Sequence, residues 1–356
     1  MLDFGTLIFP KPDISTAEVR LVEQRGFTHA WIPDSQMIWG DTYACLALAA
    51  TATARIKLGT GVAIASNRIA PVSVHSIATV NQIAPGRVIL GFGTGHTARR
   101  IMGLPPVKFG EFCAEVRTIS ELLRRGEAVY RTEGMERKIR FLHRKDRFIN
   151  LDDRIPFYVA ANAPQTIALA GEFGDGLITT GVGTPDRLAR IRKLLEEGTK
   201  KAGRTLNAFP IVSLTHACVL KRGEGLESPR VAALTGHWVM ANYHAIAAGY
   251  ASPESLPGEV RPVFEEYRRH VESMQPKEER YLRLHEGHCQ FVAPDERRFI
   301  TPEGIRATTL VGTGDELITQ LKGLEKAGLG QIFLNPPLEG FEESVGDFAR
   351  EVIARY

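Results

Sequence analysis

Cysteine is scarce in this sequence, and the few present share no spacing. The 356 residues hold four, Cys45, Cys113, Cys218 and Cys289, and no two form a C-x-x-C pair. That excludes a zinc ribbon or a dithiol redox motif and fits reduced thiols in a cytoplasmic protein. Long hydrophobic runs are also missing. No stretch approaches the ~20 uninterrupted apolar residues that a membrane span needs. The opening MLDFGTLIFP lacks the basic segment and long apolar core of a signal peptide. Nor does one sign of charge dominate. Lys and Arg number 44 against 41 Asp and Glu, a net charge of +3 spread along the chain. That is too mild and too dispersed for a nucleic-acid footprint. The local cluster HRKDR at 143–147 reads as a solvated hairpin.

What is present is a globular composition, 44% hydrophobic and 24% charged, enough for a sizeable core. It is laid out as a repeating beat of an apolar, β-branched run, a turn and an amphipathic stretch. DFGTLIF (3–9) leads to 15–26, THAWIP (28–33) to 42–54, IKLGTGVAI (56–64) to 71–84, and RVILGFGT (87–94) to 112–125. After a charged interlude at 127–152, FYVAAN (157–162) leads to 163–174 and GLITTG (176–181) to 184–203. AFPIVSLTHACVL (208–220) is the seventh run; GQIFLNP (330–336) is the eighth, with amphipathic stretches before it at 314–328 and after it to the last residue. Continuous rather than alternating apolar runs suit strands buried on both faces. Ser15 and Thr184 are placed as helix N-caps, and Gly26, Gly203 and Gly328 as residues just past helix ends. Eight such units predict one (β/α)8 TIM barrel over 1–356. Residues 221–312 do not follow the beat and are too apolar for a linker. They are expected to form a helical insertion after strand seven, a cap over one barrel mouth.

GFGTGH at 91–96 has the outline of a dinucleotide-binding glycine loop. The fingerprint requires a helix opening at once and an acidic residue closing a second strand about 20 residues on. GLPP at 103–106 intervenes and no such strand follows, so the Rossmann reading fails. On a barrel, Gly91 and Gly93, with LGTGV at 58–62, leave the ends of strands three and four thin. A flat ring can then lie close to the backbone; the competing reading is small residues offsetting large ones in the barrel core.

FGTLIFP, WIPDSQMIWGDTYACLALAA, IKLGTGVA, GRVILGFGTGH, PFYVAANAPQTIALAGEFGDGLI and LVGTGDELITQLKGLEKAGLGQIFLNPP, in that order, resemble the bacterial-luciferase-like superfamily of flavin- and F420-dependent oxidoreductases. The likeness is strongest to the methylenetetrahydromethanopterin reductase branch. It spans nearly the whole chain, poorly matched only at 127–152 and much of 221–300. The resemblance implies coenzyme F420, or alternatively FMN, at the C-terminal mouth of a barrel. It implies hydride transfer to or from a small organic substrate; the alternative is a monooxygenase fed reduced flavin by a partner reductase. It also implies a homodimer. By resemblance Asp34 and Ser35 stand beside the ring, Trp39 lines the site, and Gly61 and Val62 carry a non-proline cis peptide against the ring. Thr94 and His96 close strand four near the ring. Ala161, Asn162 and Ala163 form the loop after strand five, and Thr179, Thr180 and Gly181 meet the cofactor phosphate. Asp34, His96 and Ser35 are the expected catalytic groups. Two positions depart from the family: Leu7 stands where the pterin reductases carry a functional glutamate, and DSQ stands where many monooxygenases carry histidine.

Four further histidines are candidates. His285 and His288 in LHEGHCQF have H-x-x-H spacing with Glu286 and Cys289 adjacent, but no second ligand pair is evident, so a metal is not expected. A substrate-facing role in the cap and a purely structural role are the alternatives. His237 and His244, seven apart on one helix face, could roof the pocket or simply belong to the core. His216 lies inside strand seven and is assigned to packing. Arg99 and Arg100 are set against a polyanionic cofactor tail or, by default, solvent.

Overall fold

The eight apolar runs become eight parallel strands, because each is buried from both sides: β1 Asp3–Leu7, β2 His29–Ile32, β3 Lys57–Thr60, β4 Val88–Gly93, β5 Phe157–Ala160, β6 Gly176–Thr180, β7 Ile211–Thr215 and β8 Gln331–Leu334. Each pairs with its neighbour in sequence, and β1 pairs with β8 in the register Asp3 with Gln331, which closes the barrel. The computed structural model describes residues 1–356 except Ser66, Glu133 and Asn207. Helices pack outside. In Phe109–Arg125 the buried Phe112, Val116, Ile119 and Leu122 recur at helical spacing and face the strands. The outer core between strands and helices is one continuous apolar cluster.

Trp31 fills the middle of the barrel, fully buried against Tyr158 and Phe333. It explains three glycines. A Cβ on Gly5, Gly59 or Gly61 would come within 2.8, 2.4 or 2.7 Å of Trp31 atoms. Gly91 has a different reason: its Cβ would sit 2.2 Å from the carbonyl oxygen of Thr60 on β3. Of the glycines assigned to a ring slot, Gly59 and Gly91 therefore serve strand packing. Gly61 and Gly93 do line the cavity at the strand ends.

Several local expectations are corrected. Ser15 is the first residue of helix Ser15–Gln24 rather than its cap; its hydroxyl donates to the carbonyls of Phe9 and Lys11. Thr184 caps helix Pro185–Lys201 by accepting from Arg187 N–H. Gly26, Gly203 and Gly328 follow helix ends with positive φ of 88°, 63° and 100°, where glycine relieves the left-handed backbone. A one-turn helix, His96–Arg100, opens directly after Gly95, so a helix does follow the glycine loop at once. HRKDR lies beyond the antiparallel hairpin Glu127–Thr132 with Met135–Arg140, in an exposed turn. The seventh run breaks at His216: Ala217–Val219 leaves the barrel and pairs with Leu310–Gly312.

Between those two short strands the chain forms helices Pro229–Ala247 and Arg261–Ser273, with shorter turns around them. They have their own apolar core, including Met240, Tyr243, Phe264, Tyr267 and Phe299. Among the described residues no helix is long and apolar enough to cross a membrane.

Candidate active site

Every barrel strand contributes its C-terminal end to one cavity of about 420 Å³. Leu7 comes from β1, Asp34 and Ser35 follow β2, Gly61 and Val62 follow β3, and Gly93 to His96 leave β4. Ala160 to Ala163, Thr180, Leu214 and Asn335 complete the ring from β5 to β8. Trp238, Tyr250, His288 and Cys289, from between β7 and β8, close over it. This is the end at which a parallel barrel presents its variable loops, so the ligand-facing groups gather here.

The polar groups are held by local structure. Asp34 is buried, with its carboxylate 3.4 Å from both Arg68 Nη1 and Asn67 Nδ2. Burial pushes its carboxyl up, and the Arg68 guanidinium opposes that shift. Asp34 caps no helix; Asp41 does, accepting from the N–H groups of Tyr43 and Ala44 at 2.9 Å. Arg68 ties the two acids together, with one nitrogen on each. The Gly61–Val62 peptide is cis. Trp39 packs between Phe9 and His288, and its indole N–H is buried without a partner among the described residues.

His96 begins the one-turn helix and packs its ring 4.3 Å from that of Tyr250, whose hydroxyl donates to the His96 carbonyl. Burial, with the nearby Arg100 charge, holds its imidazole below the usual value. Asn162 gathers the opposite rim. Its Oδ1 accepts from the Thr179 hydroxyl at 2.7 Å, Thr180 N–H at 3.0 Å and Arg187 at 3.3 Å. Arg187 also donates to Thr179 Oγ1 and the Thr180 carbonyl.

The structure thus brings Asp34, Ser35, Trp39, Gly61, Val62, Thr94, His96, Ala161, Asn162, Ala163 and Thr180 to one cavity. Thr179 and Gly181 do not line it; the Thr179 hydroxyl is buried under Asn162 and Arg187. Of the four candidate cap histidines only His288 does. His237 and His244 are not a roof. His237 Nε2 donates to the Asn335 carbonyl at 2.8 Å, and His244 Nε2 donates to buried Glu296 at 2.8 Å. His285 Nδ1 donates to the Tyr281 carbonyl. His216 is packing, its ring against His237. Arg99 and Arg100 do not line the cavity; Arg100 lies over the Tyr250 ring. Among the described residues no three His, Cys, Asp or Glu side chains are grouped to hold a metal.

Sequence reasoning missed Asn335, Tyr250, Cys289 and Arg187. Asn335 was findable as a polar residue at the end of the eighth run. The others depend on how distant segments fold back.

His237 gives a stability prediction. Burial pushes its imidazole down to about 4, whereas the unfolded ring titrates near 6.5. The unfolded chain therefore binds the extra proton first. The full contribution of neutral His237 is present above about pH 6.5 and is lost as pH falls toward 4. Relative to His237→Gln, the native protein is expected to lose about 2 kcal/mol more between pH 6.5 and 5. Urea unfolding at the two pH values measures this, and parallel losses in both proteins would contradict it.

Residues 11–331 match the profile of the luciferase-like monooxygenase family. The chain is 31% identical over 230 residues to the 5,10-methylenetetrahydromethanopterin reductase of Methanopyrus kandleri, covering 60% of this chain and 65% of that one. It is 34% identical over 198 residues to the F420-dependent glucose-6-phosphate dehydrogenase of Beutenbergia cavernae, covering 52% and 58%. The matches thus span less than two thirds of the length of either relative. The structure of the coenzyme F420-dependent tetrahydromethanopterin reductase from Methanopyrus kandleri superposes over 100% of this chain and 99% of that one, with a TM-score of 0.70 at 22% identity. That likeness establishes the fold, an eight-stranded TIM barrel.

Proposed function

The chain belongs to the luciferase-like monooxygenase family, and from that premise we propose that it is an F420-dependent oxidoreductase moving a hydride between the deazaflavin ring at the barrel mouth and a small, uncharged organic substrate under the residues between β7 and β8. The observation that carries this reading is the lining of the cavity. All eight strand ends meet there, the walls are largely apolar, and among the described lining residues the only carboxylate is Asp34 and there is no Lys or Arg. Such a site favours a flat, mostly neutral ring over a phosphorylated substrate. Relatives named for F420 dependence support the choice of cofactor.

In this reading Gly61, Val62 and Gly93 would border the ring, and Asp34, held by Arg68, would stand at its polar side. Asn162, Thr180 and Arg187 would hold the phosphate-bearing tail, where the Arg187 guanidinium suits an anion. F420, when bound, supplies the hydride chemistry. The chain orients the two reactants, excludes water and handles the proton. Leu7 puts an apolar side chain on the cavity wall, and the sugar-phosphate relatives' substrate would find no lining cation, so both relatives' substrates are disfavoured here. A reductase that regenerates reduced cofactor and a homodimeric state belong to the same reading.

Absorbance titration with oxidised F420 and, separately, FMN tests the proposal. Saturable binding of F420 is expected. Tight FMN binding with no response to F420 would overturn it in favour of a flavin monooxygenase. Asp34→Ala is expected to weaken F420 about tenfold, near 1.4 kcal/mol; unchanged affinity would remove Asp34 from the cofactor site.

A further inference from the structure

We propose that His288, carried over the cavity by the segment between β7 and β8, is the group that exchanges a proton with an alcohol or carbonyl oxygen of the substrate. The inference rests on the F420 reading and adds the substrate class and a catalytic residue to it. His288 is the one cap histidine in the cavity wall. Its Nε2 lies 3.2 Å from the Thr97 hydroxyl and 3.4 Å from Cys289 Sγ, while its Nδ1 is buried with no partner among the described residues. With the Nε2 proton donated to Thr97 Oγ1, Nδ1 is left as an acceptor without a donor, on a ring that lines the cavity. An unpaired buried acceptor costs stability. A substrate hydroxyl donating to it would satisfy that atom. Two other lining residues also hold a buried polar atom without a partner among the described residues, the Trp39 indole N–H as donor and Asn335 Oδ1 as acceptor.

The surroundings keep the ring in its basic form. Burial lowers the His288 pKa well below that of an ordinary histidine, and His285 and His244 add like charge when protonated. The ring of His285 is 5.4 Å away on the same segment, and Cys289 is its chain neighbour, with a thiol that burial pushes up to about 12. Behind them, on other cap elements, stand His244, Glu296 and Tyr267, joined by hydrogen bonds of 2.8 and 3.0 Å at Glu296. Arg100 and His96 are on the one-turn helix beside Thr97, and Asp34 is on the cavity wall.

The step balances without another reactant. In alcohol oxidation the carbon gives a hydride to the oxidised deazaflavin. The O–H electron pair becomes the second C–O bond, and the released proton goes to Nδ1, leaving an imidazolium. In carbonyl reduction the same atoms move in reverse, and the imidazolium returns the proton to the oxygen. A substrate reduced at a C=N⁺ carbon would need no such group, so the placement favours alcohols and carbonyls.

The test uses the F420-loaded protein with 2-propanol and cyclohexanol as substrates and 2,2,2-trifluoroethanol as a non-reacting alcohol followed by fluorine NMR. His288→Gln is expected to lower kcat by about 10²–10⁴-fold, with the Kd for F420 within about threefold of native. Added imidazole is expected to restore activity to His288→Ala. In the native protein, kcat/KM and trifluoroethanol affinity should hold through the ordinary histidine range and fall together only at pH values well below it, because burial depresses the His288 pKa. Both should become insensitive to pH over that range in His288→Gln. Three results would each overturn the assignment: near-native turnover or an unchanged pH profile in His288→Gln, loss of F420 binding along with activity in both variants, and no binding or turnover of any of the three alcohols. If the native protein itself gives no response to F420, the function reading fails instead, and that arm is read first.

Discussion

Trp31→Ala is expected to destabilise the barrel by about 3–5 kcal/mol. The indole is fully buried, donates to Gln331 Oε1 at 3.0 Å and stacks on His29 and Phe333. The surrounding backbone cannot close the space, because Gly5, Gly59 and Gly61 already give up their side chains to it. Removal leaves a cavity in a closed barrel and an unpaired Gln331 amide oxygen, so the transfer and cavity terms add. The converse variant, Gly59→Ala, puts a methyl carbon about 2.4 Å from the ring and should also destabilise, through overpacking. Denaturant unfolding followed by circular dichroism measures both. A Trp31→Ala midpoint shift worth under 1 kcal/mol would show that the barrel interior relaxes around the loss.

The second large effect is expected at the cavity rim. Arg187→Ala should raise the Kd for F420 by about 10–100-fold, or 1.4–2.7 kcal/mol. One guanidinium nitrogen, Nη2, holds Thr179 Oγ1, the Thr180 carbonyl and Asn162 Oδ1 together at 2.9, 2.8 and 3.3 Å. Its loss would strip a charge from the rim proposed to hold the cofactor tail and free the loop after β5 from the end of β6. Arg187→Lys separates the two contributions: it keeps the charge but not the fork, so an intermediate affinity is expected. Equal affinity in native protein and Arg187→Ala would dissociate this rim from the cofactor.

The barrel itself was legible because its cause is local. A run such as VILG at 88–91 can be continuous and apolar only if both faces are covered, and eight such runs separated by amphipathic stretches leave few other closed arrangements. Helix ends were legible where one residue decides the backbone, as at Gly26, Gly203 and Gly328. Ser15 failed because its hydroxyl had a nearer partner in the turn before the helix. The helix at His96 failed because a single turn carries no periodicity.

The strand-end groups Asp34, Ser35, Thr94 and Asn162 were indicated by the family resemblance, and they meet because a parallel barrel sends every strand's C-terminal end to one mouth. Direction of side chains did not follow. Thr179 and Thr180 are adjacent, yet alternation along the strand buries one and presents the other. The four candidate cap histidines looked alike in sequence, and only tertiary packing separated them. His244 and His285 meet carboxylate or carbonyl partners inside the cap and His237 meets the Asn335 carbonyl after β8, while His288 alone of the four lines the cavity. The sequence alone determined which elements form and where their ends gather, because those depend on neighbours a few residues away. Which polar atoms remain unpaired at the mouth was decided only by contacts between segments up to 191 residues apart, such as Thr97 with His288.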